Sequence, residues 1–200
     1  MTTDAETLAV YQARAAEYAA CFASEAPDRA LLKFIAALPP GGRVLDLGCG
    51  PGGAAVALMA AGFDVEAMDA TQAMVDMAVS HGVRARLGTF EDVTATARYD
   101  GVWANFSLLH APRAALPKHI AAIRKALKPG GHFHIGMKLG QGEKRDRLGR
   151  KYTFVTREEL GDLLAGAGMV PVWENSFVEK GLAGTNDPGI TLLARASADD

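Results

Sequence analysis

The stretch Val44-Leu45-Asp46-Leu47-Gly48-Cys49-Gly50-Pro51-Gly52-Gly53 decides the fold. Val44 to Leu47 is a short apolar run ending in glycines, which reads as a buried strand running into a tight turn. Gly48, Gly50 and Gly53 have the spacing of a nucleotide-binding turn, in which a missing Cβ permits the bend and lets a ligand approach the backbone. Gly53 to Ala61 then reads as the helix that the turn feeds. Asp69 follows 21 residues after Gly48, where an acidic side chain can meet a ribose. The other reading of the glycines is a strand-to-helix turn that holds no ligand.

Working outward, strands and helices alternate. Asp64 to Met68, Val83 to Leu87, Tyr99 to Ala104 and His132 to Met137 read as strands, with helices at Thr71 to His81 and Arg113 to Leu127. Leu116, Ile120, Ile123 and Leu127 share one side of the latter, and Pro129, Gly130 and Gly131 end it. Alternation of this kind predicts a parallel sheet covered on both faces. Before it, residues 4–22 read as one helix, with Leu8, Tyr11, Ala15, Tyr18 and Phe22 on one face and Thr3 and Glu6 at capping-box spacing. A second helix fits 27–38, with Pro27 in its first turn. After the fifth strand, 138–155 reads as a polar loop. Thr156 and Glu159 cap a helix that Gly168 stops. Strands at 169–178 and 189–196, with no helix between them, predict an antiparallel pair. The expected fold is a Rossmann-like, doubly wound α/β sheet of seven strands, mostly parallel with an antiparallel C-terminal pair.

The 200 residues are the size of one domain and can bury a core without staples. Lys and Arg number 21 against 23 Asp and Glu, so the net charge of -2 argues against whole-protein binding of a polyanion. A hydrophobic fraction of 49% and a mean hydropathy of +0.06 are those of a globular chain. Cys21 and Cys49 are too few for a disulfide framework, and a reducing compartment is expected. No apolar run approaches the ~18 residues of a membrane span. The start carries Asp4 and Glu6 and no basic region, so no signal peptide is read. A cytoplasmic protein is expected.

Asp46 separates the candidate ligands. A carboxylate two residues before the first glycine is badly placed beside a pyrophosphate and well placed beside a cation. S-adenosylmethionine carries an ammonium and a sulfonium and no phosphate. Asp69 suits the ribose of either nucleotide. The stretch resembles motif I of class I S-adenosylmethionine-dependent methyltransferases. Further likenesses follow in order at Met68-Asp69-Ala70, Thr89-Phe90-Glu91-Asp92, Tyr99 to His110, and Leu127-Lys128-Pro129-Gly130-Gly131. The resemblance covers about residues 8–195 and is greatest to small bacterial enzymes of the tellurite-resistance or ubiquinone-biosynthesis type.

The resemblance implies a division into N-terminal lid helices over 1–40, a cofactor-binding half over 41–137, and a substrate loop with the last strands over 138–200. It implies that Asp46, Gly48 and Gly50 line the methionine end of the cofactor, with Asn105 and Phe106 beside it, and that Cys49 occupies a common family position among the cofactor-binding residues. Asp69 would bind the ribose, Ala70 and Met74 would flank the adenine, and Phe90 and Glu91 would border it from the other side. Tyr11 and Tyr18 would lid the cofactor, the alternative being ordinary helix packing. Cys49 also reads as a small buried residue.

Methyl transfer is an in-line displacement with an activated leaving group, so the protein mainly aligns the acceptor and excludes water. An alcohol or amine acceptor must lose a proton, whereas a thiolate or oxyanion needs little help. His110 is the candidate base. Lys138 to Lys151 holds six basic and two acidic residues, at the sheet edge where open α/β proteins place ligands. Arg147, Arg150 and Tyr152 are the candidate acceptor residues, since a guanidinium offers a bidentate fork to an oxyanion. The loop also reads as a solvated surface. Asn105-Phe106-Ser107-Leu108 lacks the pattern of enzymes that methylate base amines, so a small-molecule partner is expected, with no nucleic acid, no membrane and no metal. The expected activity is methyl transfer to a small acceptor, anionic or a thiol or oxyanion. The rivals are a non-catalytic S-adenosylmethionine-binding sensor or interaction module, and a nicotinamide-dependent oxidoreductase.

Overall fold

The computed structural model describes residues 4–22, 26–180 and 183–198. One seven-stranded sheet has the order β3-β2-β1-β4-β5-β9-β8. Its strands are β1 (Arg43–Leu47), β2 (Asp64–Asp69), β3 (Ala85–Leu87), β4 (Tyr99–Asn105), β5 (Leu127–Lys138), β8 (Met169–Lys180) and β9 (Asn186–Ala196). The first five run parallel, β9 runs antiparallel to β5, and β8 antiparallel to β9. This is the expected fold.

Both faces of the sheet are covered, which is why its central strands are apolar without alternation. Val44, Val65 and Trp103 pack on one face under α3 (Arg29–Ala37), α4 (Gly53–Ala60) and α5 (Gln72–Ser80), contributed by Phe34, Leu58 and Ala78. Leu45, Val102 and Phe133 pack on the other under α6 (Leu116–Ala126) and α7 (Arg157–Gly166), through Ile120, Ile123, Leu160 and Leu164. The chain turns left from β1 to β2 and β3 and right to β4, so a crevice opens at the strand ends between β1 and β4.

Several boundaries differ from the sequence reading. The single helix expected at 4–22 is two, α1 (Ala5–Ala13) and α2 (Ala15–Phe22), because Arg14 leaves helical geometry at φ -116° and ψ 21°. Thr3 lies outside the described residues, and Asp4 caps α1 by accepting from the Thr7 N–H at 2.9 Å. Pro27 precedes α3 rather than opening it, and Asp28 is the cap. Val83 is buried ahead of a β3 only three residues long. Pro129-Gly130-Gly131 does not separate helix from strand: β5 already begins at Leu127, and its pairing with β4 shifts register there. The expected loop 138–155 contains an antiparallel hairpin, β6 (Glu143–Arg145) with β7 (Lys151–Thr153). Its strands are too short and too polar to show a period of two.

Candidate active site

The glycine turn is held to the end of β2 by backbone N–H groups. Gly48 and Gly50 have φ of 78° and 53°, and the Gly48 N–H donates to the Met68 carbonyl at 2.7 Å. The Gly50 N–H donates to Asp69 Oδ2 at 3.0 Å, tying the turn to the end of β2. Thr71 then donates to Asp69 Oδ1 from both its N–H (2.9 Å) and its hydroxyl (2.7 Å). Burial raises the Asp69 pKa above its ordinary value, and these hydrogen bonds work against that rise.

A cavity lies over this turn, lined by Gly48, Gly50, Asp69, Ala70, Met74, Phe90, Asn105, Phe106, Tyr11 and Tyr18 among others. The structure therefore gathers the expected cofactor residues except Asp46, Cys49 and Glu91. Asp46 is fully buried behind the turn. Its Oδ2 has no hydrogen-bond partner, and desolvation together with the Asp69 charge pushes its pKa up to about 7. Cys49 is buried, with its thiol pushed up by desolvation. Glu91 is exposed on the short turn after β3, where it accepts from the Thr89 hydroxyl. Lining residues that the sequence reading passed over include Thr7, Thr71, Thr89 and Ser107. Thr71 was legible as a hydroxyl two residues after an aspartate, a common local hydrogen-bond pattern.

A second cavity adjoins the first. Tyr11, Tyr18, Asn105, Phe106 and His110 line both. Beyond them the second is walled by Lys138, Arg150, Tyr152, Phe177 and Asp187. Lys138 Nζ lies 2.6 Å from Asp187 Oδ2 and 4.1 Å above the Tyr152 ring. Arg150 is buried and bound to Asp146 Oδ2 through Nε (3.0 Å) and Nη2 (2.7 Å). Arg147 is exposed and lines neither cavity, so the structure does not bring Arg147 and Arg150 together.

Asn105 is held from behind. His134, wholly buried and stacked on Trp103 at 3.6 Å, donates from Nε2 to Asn105 Oδ1 at 3.0 Å. With the amide oxygen engaged, the Asn105 NH2 is the end left for the cavities. Burial lowers the His134 pKa to about 3, so the ring is neutral. No cluster of three or more possible metal ligands occurs among the described residues. Nor, among them, is any helix long and apolar enough to cross a membrane.

A Rossmann-like sheet with an antiparallel end and a glycine turn under an acidic β2 terminus is the architecture that the resemblance implies. Residues 44–131 match the family model described as a methyltransferase domain. The chain is 34% identical over 121 residues to the dimethylglycine N-methyltransferase of Parasynechococcus marenigrum, covering 56% of this chain and 42% of that protein. It is 31% identical over 145 residues to the S-adenosyl-L-methionine-dependent Diels-Alderase of Talaromyces variabilis, covering 66% and 48%. The chain thus spans less than half the length of these relatives. A solved structure of the Burkholderia thailandensis 1,6-didemethyltoxoflavin-N1-methyltransferase, with bound 1,6-didemethyltoxoflavin and S-adenosylhomocysteine, superposes with a TM-score of 0.70. That likeness is at 25% identity and covers 94% of this chain and 88% of that one.

Proposed function

We propose that the protein transfers a methyl group from S-adenosylmethionine to a small-molecule acceptor. One observation carries the reading. Two cavities, which this reading assigns to a nucleotide and to an acceptor, meet at the same five residues, Tyr11, Tyr18, Asn105, Phe106 and His110. The first cavity fits the cofactor chemically. Among the described residues it is lined by Asp69 and by no lysine or arginine, and Asp46 behind it has an unpartnered carboxylate oxygen. That surrounding favours a cationic nucleotide over a pyrophosphate.

In this reading Asp69 holds the ribose, Ala70, Met74 and Phe90 enclose the adenine, and Gly48, Gly50 and Asn105 meet the methionine part. Tyr18 lies over Gly50, and Asp46 offers its charge through the turn. When bound, the cofactor supplies an electrophilic methyl group on sulfur. The chain's own part is to align the acceptor and keep water out. Lys138, Arg150 and Tyr152 suit an acceptor with an anionic edge, although Asp187 and Asp146 already engage both cations. A second reading has support from the Diels-Alderase relative: S-adenosylmethionine would be bound without being consumed.

Calorimetry tests the first step: S-adenosylmethionine and S-adenosylhomocysteine should bind and NAD should not. Asp69→Ala should weaken binding by about 1–3 kcal/mol through lost charge-assisted hydrogen bonds. Tight NAD binding with neither methionine derivative bound would overturn the assignment. Appearance of S-adenosylhomocysteine with a methylated product, followed by mass spectrometry, separates transfer from binding alone.

A further inference from the structure

The hydrogen bonds where the cavities meet have a forced direction. The Lys151 carbonyl can only accept, so His110 Nδ1, 2.7 Å away, carries the ring proton. In the neutral ring Nε2 is then an acceptor, and the Tyr11 hydroxyl donates to it at 2.9 Å. Arg150 Nη1 donates to the Tyr11 oxygen from 3.1 Å, with Asp146 fixing the guanidinium. The hydrogen of Tyr11 is therefore committed to His110. The Tyr152 hydroxyl also reaches the Tyr11 oxygen, so the lone pair not facing Arg150 becomes available to an acceptor that takes the place of that hydroxyl.

We infer that Tyr11 takes the proton of the methyl acceptor and passes its own to His110, so that the nucleophile is a nitrogen or oxygen bearing hydrogen. The inference rests on the methyl-transfer reading above. As the acceptor atom bonds to the methyl carbon, the carbon–sulfur bond breaks and its electron pair stays on sulfur. The proton on the acceptor nitrogen or oxygen moves to the Tyr11 oxygen. The phenolic proton moves to His110 Nε2, leaving an imidazolium still bonded to Lys151, which later gives its proton to solvent. Arg150 stabilises negative charge on the phenolic oxygen during the exchange. A thiolate would need none of this apparatus.

The groups facing His110 are Tyr11 from α1, Lys138 from β5, and Asp146, Arg150 and Tyr152 from the hairpin. Burial, reinforced by the two cations, lowers the His110 pKa to about 4 and keeps the ring neutral at working pH. His110 is thus a relay that acts through Tyr11, which explains why the ring lines the cavities while its Nε2 is already occupied.

Two measurements test this. In ¹⁵N-histidine NMR of the wild-type protein, His110 should show the Nδ1–H neutral tautomer from pH 8 down to 5. An Nε2–H tautomer or an imidazolium at pH 7 would overturn the relay whatever the activity. Second, small phenols, carboxylate-bearing amines and thiols are offered with S-adenosylmethionine, and S-adenosylhomocysteine is measured. Turnover should be confined to the N–H and O–H acceptors, and Tyr11→Phe should lower kcat on the order of 100-fold with KM changed less than about threefold. His110→Gln keeps an acceptor for the Tyr11 hydroxyl but no base. It should lose as much as Tyr11→Phe, whereas a merely structural histidine would be rescued by it. Calorimetry with S-adenosylhomocysteine on both variants shows whether each still folds and binds. Rescue by Gln, or a thiol turned over with Tyr11→Phe unimpaired, overturns the relay. Loss of cofactor binding by the wild type would instead overturn the methyltransferase reading.

Discussion

Gly48 is where one residue constrains the site most. Its φ is 78°, and a Cβ there would lie 2.2 Å from Cβ of Ser107, whose hydroxyl donates to the Leu47 carbonyl at 2.6 Å. The close approach joins the end of β1 to the segment after β4, the two walls of the crevice. Gly48→Ala combines left-handed strain with overpacking and should cost about 2–5 kcal/mol in a urea melt. Adding Ser107→Gly should recover the overpacking part and leave about 1–2 kcal/mol. No recovery in the double variant would show that the contact is not the cause. Gly53 makes the contrast. It matches the spacing of the fingerprint, yet a Cβ there meets nothing within 4 Å and its φ is not positive. Gly53→Ala at the start of α4 should be neutral or stabilise by about 0.5–1 kcal/mol. The glycine that the turn needs for its left-handed bend into α4 is Gly52, at φ 91°, beside Ala78. Spacing therefore located the turn correctly and misassigned one of its glycines, because spacing carries no φ.

At the scale of elements, the hairpin β6–β7 secures α1. Arg145 binds both carboxylate oxygens of Asp4, at 2.8 and 2.9 Å, and the Lys151 N–H donates to Thr7 Oγ1 at 2.8 Å. Arg145 holds the Asp4 carboxyl far below the usual carboxylate range. Arg145→Ala should speed hydrogen exchange in residues 4–13 and weaken S-adenosylhomocysteine binding, with the cofactor-free melting temperature little changed. An unchanged exchange rate in α1 would mean that the helix is held by its apolar face alone. This contact also shows why the basic segment was only half legible. Its charge excess was plain, but the acid that engages Arg145 lies 141 positions away in sequence, and Lys138 meets Asp187 from another strand. The same limit applies to His134: nothing local to it announces Asn105 as its partner. By contrast the sheet itself was legible, since buried parallel strands are continuous apolar runs set between helices of regular period.

For the molecule as a whole, buried ionisable groups set the pH dependence of stability. His110 and His134 have folded pKa values lowered to about 4 and about 3, chiefly by burial. Below pH ~6.5 the unfolded chain binds protons there that the folded chain refuses, so their contribution is present above pH ~6.5 and is lost as pH falls through the folded values. Asp4, Asp100 and Asp146, each lowered and each paired with a cation, lose their contributions in the same direction at lower pH. Asp46 has the opposite sign. Its folded pKa is raised to about 7, so its contribution is full below pH ~3.8 and is lost as pH climbs to about 7. The cofactor-free protein should therefore be most stable near pH 6–7, with a steep acid side and a shallow alkaline one. Asp46→Asn should melt progressively higher relative to wild type as pH rises from 4 to about 7, then hold a constant difference. The change in stability difference across that range is on the order of 2–4 kcal/mol. A cationic ligand near Asp46 draws its pKa back down, so binding at pH 7 should release protons from wild type and fewer from the variant. Calorimetry in buffers of different ionisation enthalpy measures that release. Differential scanning fluorimetry from pH 4 to 8.5 measures the stability difference, and a difference that does not change with pH would show that Asp46 is ionised throughout and that its full negative charge lies behind the glycine turn before any ligand arrives.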